Sequence, residues 1–150
     1  MPTVRSGPWS PDAINEFLTG ATIPIRLASV GKHFPLVQSL WFLYDDDALW
    51  CCTQADSVLA SRLHRDNHVG FEVSADEPPY RGVRGKGRVH FEEGAADSVL
   101  PRLVQKYLGS EPTDFSKWLL SRLDSEVAIR ITDLSVSSWD YSPRMPKQPE

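Results

Sequence analysis

The segment LVQSLWFLYDDDALWCCT, residues 36–53, places two apolar-rich runs on either side of three consecutive aspartates. The runs cover residues 36–44 and 48–53, and their aromatic and aliphatic residues are typical of strands. Asp45, Asp46 and Asp47 suit a polar reverse turn, because short polar side chains tolerate turn conformations. The segment therefore predicts a β-hairpin.

More strands are predicted on both sides of this hairpin. Between Ile23 and Leu27, apolar residues alternate with other residue types, which is the period-two pattern of a half-buried strand. Strands are also predicted over residues 68–74, 83–92 and 127–139. Together with the hairpin, these segments make a six-stranded set.

Helical segments separate the predicted strands. Ser10, Pro11 and Asp12 have the residue types of a helix start, and Gly20 is predicted to end that helix. Other helices are predicted over residues 57–65, 95–108, with an interruption or restart at Pro101, and 116–123. The order predicts a mainly β chain, a six-stranded antiparallel barrel with flanking helices packed outside.

Length and composition predict one domain over residues 1–150, with a core at about 10–142 and a loose tail at 143–150. The net charge of −4 argues against a nucleic-acid partner. No run approaches the roughly 20 apolar residues of a membrane helix, and the N-terminus lacks an apolar signal stretch, so we expect a cytoplasmic protein without a membrane partner. Cys51 and Cys52 are adjacent, point to opposite faces in a strand, and are expected to act as small apolar residues.

The segment YRGVRGKGRVH, residues 80–90, combines basic residues with glycines. In a strand, Arg84, Lys86, Arg88 and His90 lie on one face, with Gly85, Gly87 and the valines on the other. Glycine within a strand often marks a close approach by backbone or ligand. The basic face indicates an anionic ligand or an acidic partner surface, or alternatively an edge strand protected by charge.

A second candidate site lies where the strand ending at Thr53 runs into the helix that begins at Ser57. The free N–H groups of a helix N-terminus bind anions, although Ser57 in this position also suits simple helix capping. His64 and His68 have the i, i+4 spacing of helical metal ligands, but the next strand begins at His68, so no metal site is expected.

Several of these segments, in their order and spacing, resemble the pyridoxamine-5′-phosphate-oxidase-like proteins, split barrels that bind FMN, FAD or a 5-deazaflavin. The resemblance covers about residues 10–145 and rests on residues 35–46, 49–53, 57–69, 79–88, 107–109 and 138–141. It implies an FMN-binding split barrel that forms a homodimer with two flavin sites at the interface.

The resemblance also assigns site residues. It implies that the isoalloxazine ring lies near Arg26, Ala28 and Ser29 and near Ser39, Leu40 and Trp41. It implies that the phosphate lies near Thr53 and Ser57. It also implies that Arg81, Arg88 and Trp139 reach a flavin site, either in their own subunit or across the dimer interface.

One departure from the family concerns the residues after Ser57. Val58 and Leu59 stand where the family places a Lys or Arg that holds the phosphate, and Leu59 forms an i, i+4 apolar pair with Leu63 that is typical of a core. Losing that cation removes a charge-assisted contact of about 1.5–3 kcal/mol. Arg62 or Arg65 is a candidate replacement.

The function implied is an FMN-binding oxidoreductase with a small-molecule substrate or electron donor, in which the cofactor supplies the chemistry. No side chain stands out as catalytic. A non-catalytic carrier of flavin or another flat ligand, with a degenerate phosphate site, is the alternative, and a flavin-free interaction dimer is a third. Pyridoxamine-phosphate oxidation itself is not expected, because the C-terminal part lacks a recognisable substrate-phosphate cluster.

Overall fold

A computed structural model describes residues 2–145 as eight strands, four α-helices and a short 3₁₀-helix. None of the helices in this part of the chain is long and apolar enough to cross a membrane. The strands are β1 (Thr3–Ser6), β2 (Ile25–Ser29), β3 (Leu36–Leu40), β4 (Leu43–Asp45), β5 (Ala48–Gln54), β6 (His68–Ser74), β7 (Arg81–Glu92) and β8 (Glu126–Asp140). The helices are α1 (Pro11–Gly20), α2 (Val58–Arg65), α3 (Ala96–Leu108) and α4 (Asp114–Ser121), and the 3₁₀-helix is Leu123–Ser125.

The strands form one curled sheet in the order β3-β2-β6-β7-β8-β5-β4, and β1 pairs with β8. The two ends of this order, β3 and β4, are consecutive in the chain and are separated only by Trp41 and Phe42. The chain therefore returns to its starting edge, and the architecture is a split barrel with flanking helices, which confirms the predicted fold class.

The predicted count of six strands is wrong, because two features were not visible in the sequence. The extra strand β1 pairs parallel with β8, whereas the other strand pairs are antiparallel. It has only four residues, and its side chains do not alternate between buried and exposed, so the sequence shows no period-two pattern there. The second feature is that the predicted strand over residues 36–44 is divided into β3 and β4.

Side chains of α3 explain this division. The backbone N–H of Phe42 donates to the Tyr107 hydroxyl at 3.3 Å, and the Lys106 ammonium donates to the Phe42 carbonyl at 2.7 Å. The Tyr107 hydroxyl in turn donates to the carbonyl of Ile23 at 3.1 Å. Both polar groups of the Phe42 backbone are thus satisfied by α3, and strand pairing is not needed there.

The hairpin predicted around the three aspartates is confirmed as β4–β5. Asp45 pairs with Ala48, so the loop is Asp46-Asp47, and both of these residues have positive φ, 52° and 56°. Positive φ at both central positions is the geometry of a type I′ turn, whose twist matches that of the strands. Aspartate tolerates this conformation better than most residues.

The helices begin at side-chain caps. Ser10 accepts from the Ala13 N–H and Ser57 from the Ala60 N–H, as expected, and α4 starts at Thr113 with a reciprocal capping box. The predicted break at Pro101 is wrong, since α3 is continuous. Proline has no backbone N–H, so Pro101 cannot donate to the carbonyl of Asp97 one turn earlier. Both residues are exposed, and water can supply the missing hydrogen bond.

Two apolar clusters lie on opposite faces of the sheet. The barrel interior contains Cys51 with Phe42, Leu49, Ile129 and Ile131, and α1 and α2 contribute Ile14, Leu18, Leu59 and Leu63. The outer cluster lies between α3 and strands β4, β5 and β8, and Cys52 packs against it. The two cysteines are free and face opposite sides, as expected, and burial raises the pKa of both thiols, that of Cys52 to about 12.

Lys106 makes stability depend on pH. Burial lowers its pKa from 10.5 to about 8, so between these values the unfolded state binds more protons and stability rises with pH. We expect a rise of about 1 kcal/mol, reduced from the full shift because the side chain is only half-buried. Urea unfolding of wild type and Lys106→Met between pH 8 and 9 tests this as a difference between the two proteins, because the raised pKa values of Cys51 and Cys52 act in the opposite direction in both.

Lys106→Met should remove this rise, whereas Lys117→Met, at an exposed position of α4, should leave it intact. An identical pH slope in wild type and Lys106→Met would contradict the assignment.

Candidate functional site

A groove of about 550 Å³ crosses the outer face of β2, β6 and β7 beside the loop that joins β2 to β3. We call it the β6–β7 groove, and its volume is in the range of small-molecule sites. Its lining residues are 28–31, 33–35, 68–70, 86–88 and 133.

The floor of the groove is formed by residues with little or no side chain. Ala28, Gly70 and Lys86 are register partners across β2, β6 and β7, so their side chains share one face. A Cβ at Gly70 would meet nothing nearer than the Gly85 carbonyl at 3.8 Å and the Ala28 Cβ at 4.0 Å. The packing of the chain does not require glycine here, and its effect is to leave the floor flat and open.

Gly85 and Gly87 have a different role. A Cβ at Gly85 would lie 2.5 Å from the Ser135 carbonyl oxygen, and one at Gly87 would lie 2.7 Å from that of Thr132. Both positions face the barrel interior and the backbone of β8. Of the two predicted explanations for these glycines, close approach of the backbone is therefore the correct one.

The basic face of β7 is confirmed, and it forms one rim of the groove. Arg84, Lys86, Arg88 and His90 are exposed, and Lys86 and Arg88 border the groove. His68, the register partner of Arg88, also borders it, and its Nδ1 lies 2.7 Å from the Asp66 carboxylate. A flat ligand with an anionic substituent would meet cationic side chains at this rim.

Ser29 borders the groove, but its side chain faces away from the floor. Its register partner Val69 pairs in turn with Gly87, so Ser29 lies on the inward face of the sheet, opposite to Ala28 and Gly70. Ser29 is 1% exposed, and its Oγ makes no hydrogen bond within residues 2–145. An unpaired buried hydroxyl costs about 1–3 kcal/mol.

Arg62 lies behind the groove and fixes its loop. Its Nη1 donates to the Phe34 carbonyl at 3.1 Å, and a Cβ at Gly31 would lie 2.4 Å from the same nitrogen. The predicted role of Arg62 as a replacement cation remains untested, but in this structure the side chain holds the loop.

Thr53 and Ser57 lie outside the β6–β7 groove. Their hydroxyl oxygens are 2.9 Å apart, and the Ser57 hydroxyl also accepts from the Ala60 N–H at 3.0 Å. Helix capping is confirmed, and anion binding here stays a prediction. Leu59 is 1% exposed and belongs to the core with Leu63, as expected, whereas Val58 is 65% exposed.

The remaining predicted residues fall in three other places. Ser39, Leu40 and Trp41 line a second pocket of about 250 Å³ under α4, which we call the α4 pocket. Arg26 is exposed opposite Ser39 and donates to the Pro24 carbonyl at 3.1 Å. Arg81 and Trp139 lie where β7 and β8 meet at Asp140, outside the groove.

The structure thus brings Ala28, Ser29 and Arg88 together in one groove and adds residues that the sequence did not assign to a site. Gly70 was detectable as a lone glycine inside a strand pattern, and Lys86 as a member of the basic face. His33 and Phe34 carried no signal, because they lie in a loop.

His64 and His68 are separated as expected. His64 stacks on Phe91 with ring centroids 3.9 Å apart, while His68 begins β6. Within residues 2–145, no group of three or more His, Cys, Asp or Glu side chains is arranged to hold a metal ion.

The sheet order, the flanking helices and the return of the chain from β3 to β4 define a split-barrel fold. Three solved structures share it. A conserved hypothetical protein of Mycobacterium tuberculosis is 23% identical over 95% of this chain and 92% of its own, with a TM-score of 0.78.

An F420 reductase is 21% identical over 81% of this chain and 94% of its own, with a TM-score of 0.66. An FAD-binding protein of Mesorhizobium loti is 20% identical over 87% of this chain and 93% of its own, also with a TM-score of 0.66. No protein-family model and no curated protein sequence matches the chain. At these identities, the likeness establishes the fold.

Proposed function

We propose that this protein binds a flavin-type cofactor in the β6–β7 groove and acts as an oxidoreductase on a small molecule in the cytoplasm. The observation that carries the proposal is the flat floor at Ala28 and Gly70 beneath the basic rim of β7. FMN is the first candidate, and FAD and a 5-deazaflavin are the alternatives. The net charge of −4 supports a partner other than nucleic acid, and we propose no membrane partner.

The groove residues fit such a group. The floor at Ala28 and Gly70 accepts the face of a planar ring. Lys86 and Arg88 can hold an anionic side chain of the cofactor. A bound flavin supplies hydride transfer, and the protein contributes its orientation and the exclusion of water.

The names of structural neighbours support the same class of ligand. An F420 reductase and an FAD-binding protein share the fold over more than 80% of this chain. Both names describe proteins that use or bind a flavin-type molecule. They support the choice of cofactor class.

We also propose that the protein is a homodimer. Three apolar side chains beside the groove are exposed: Val30 by 43%, Phe34 by 80% and Val37 by 62%. A second copy of the chain would cover such a patch, and would bring its Arg81 and Trp139 towards the groove as the resemblance implies. Light scattering that gives the mass of one chain at micromolar concentrations would contradict this.

A non-catalytic flavin carrier is the second candidate. Val58, exposed at the first turn of α2, provides no cation for a phosphate there, which favours weaker and more exchangeable binding. Reduction of the bound flavin by NADPH or NADH at rates far above those of free flavin would support the enzyme. Binding without such reduction would support the carrier.

The central experiment is titration of FMN, FAD and riboflavin, followed by visible absorption, in wild type and Ala28→Leu. Ala28 lies on the floor of the groove beside Gly70, so a leucine there would extend into the groove. The change should weaken the binding of all three flavins about tenfold or more, because the side chain would occupy the space proposed for the ring.

Ser61→Leu, at an exposed position of α2, is the matched control and should bind flavin as the wild type does. Absence of flavin binding by the wild type would overturn the proposed function.

A further inference from the structure

The α4 pocket contains a buried carboxylate oxygen that no group of the described chain satisfies. The Oε2 atom of Glu126 has no hydrogen-bond partner within residues 2–145, and Glu126 lines the pocket. Its other oxygen, Oε1, accepts from the Gln54 side-chain N–H at 2.6 Å. One oxygen of the carboxylate is therefore fixed, and the other is buried without a partner among the described residues.

The neighbours of Gln54 hold this arrangement in place. The Gln54 side-chain carbonyl accepts from the Ser125 hydroxyl at 2.7 Å, so its amide nitrogen is left to face Glu126. Both Gln54 and Glu126 belong to paired strands, β5 and β8, where they are register partners. The free Oε2 is thus positioned by the rigid sheet.

Aromatic and aliphatic side chains form the rest of the pocket. Trp41 stacks on Tyr107, with ring centroids 5.0 Å apart and planes 4° from parallel, and Phe115 of α4 approaches Trp41 edge-on at 6.4 Å. Leu100 and Leu103 of α3 complete the apolar wall. The pocket therefore combines a flat apolar surface with the carboxylate of Glu126 and the hydroxyl of Ser39.

We propose that the α4 pocket is a separate small-molecule site for a compact, planar ligand that carries a cationic N–H donor, such as an amidinium, held by Oε2 of Glu126. The ring of the ligand packs against Trp41 and Phe115, and its donor points to the carboxylate. The volume of about 250 Å³ admits a small aromatic molecule. The pocket and the β6–β7 groove have no lining residue in common, so this proposal does not depend on the proposed function.

The second cysteine is compatible with this ligand class. Cys52 lines the pocket, and burial, with a further contribution from Glu126, raises the pKa of its thiol to about 12. The thiol is therefore neutral at ordinary pH and adds no charge to the pocket.

Benzamidine is a suitable probe, because it joins a planar ring to an amidinium group. We expect it to bind the wild-type protein, measured by calorimetry and by the change in tryptophan fluorescence, and Glu126→Gln to weaken the binding about tenfold or more. Glu93→Gln, at an exposed carboxylate outside the pocket, is the control and should bind as the wild type does. Equal affinity in wild type and Glu126→Gln would overturn the proposal.

Two further measurements use the wild type and so do not depend on how the variant folds. Benzoate has the same shape with the opposite charge and should fail to bind, whereas benzoate binding as tight as that of benzamidine would overturn the role of Glu126. Saturating FMN should leave benzamidine affinity unchanged. Competition between the two would show that the pocket belongs to the flavin site, and the proposal of a separate site would then be wrong.

Discussion

Replacing Gly70 with leucine is expected to abolish flavin binding in the β6–β7 groove while the barrel remains folded. A Cβ at this position meets no atom nearer than 3.8 Å, so the longer side chain extends into the groove and not into the protein. It would occupy the floor on which the ring is proposed to lie. We expect the affinity to fall at least about 100-fold, which corresponds to about 2.7 kcal/mol.

The stability of the Gly70→Leu protein should stay unchanged or rise by about 0.5–1 kcal/mol, because glycine inside a strand is entropically costly. Lost binding with retained or increased stability would show that the loss comes from the blocked floor and not from a damaged fold. Glu72→Leu is the matched control, since Glu72 lies on the same strand and face, is exposed and is outside the groove. Visible absorption titration and urea unfolding measure the two quantities, and wild-type flavin affinity in Gly70→Leu would exclude the groove as the site.

The parts of the fold that could be predicted from sequence are those fixed by local interactions. The β4–β5 hairpin follows from Asp46 and Asp47, whose residue type suits positive φ, and the starts of α1 and α2 follow from Ser10 and Ser57. The division of the predicted strand at Phe42 could not be predicted in this way. It depends on side chains of Lys106 and Tyr107, which are distant in sequence and meet Phe42 only in the folded barrel.

The candidate site shows the same distinction between features set by local sequence and features set by long-range contacts. Period two alone placed Lys86 and Arg88 on one exposed face of β7, and the structure confirms that face. The groove itself depends on the pairing of Ala28 with Gly70 across β2 and β6, a contact between strands that are distant in sequence. Resemblance to the split-barrel proteins assigned Ala28 and Ser29 to a site, but it did not reveal Gly70. Gly70 matters because it has no side chain, and its position on the groove floor is known only once β2 and β6 are paired.

The position of the phosphate is tested by placing a lysine at each of the two positions that follow Ser57. Leu59→Lys should lose about 3–5 kcal/mol of stability, because Leu59 is 1% exposed and a lysine there would replace core packing with a buried charge. The family's cation therefore cannot be restored at residue 59 of this chain. Val58 is 65% exposed in the first turn of α2, and Val58→Lys should fold with a cost of about 0.3–1 kcal/mol from the helix dipole.

If the N-terminus of α2 holds the phosphate, Val58→Lys should tighten FMN binding about three- to tenfold, since an added ion pair at a partly exposed site contributes about 1 kcal/mol. Riboflavin, which lacks the phosphate, should bind as it does to the wild type, and Gln105→Lys, which adds the same charge at an exposed position of α3, should affect neither ligand.

The alternative is that Lys86 and Arg88 hold the phosphate at the rim of the groove itself. In that case Val58→Lys would leave the ratio of FMN to riboflavin affinity unchanged, and Lys86→Met would lower it. These two patterns cannot both occur, so the same pair of titrations assigns the phosphate either to the helix or to the basic rim, and the second result would require the assignment of Thr53 and Ser57 to be withdrawn.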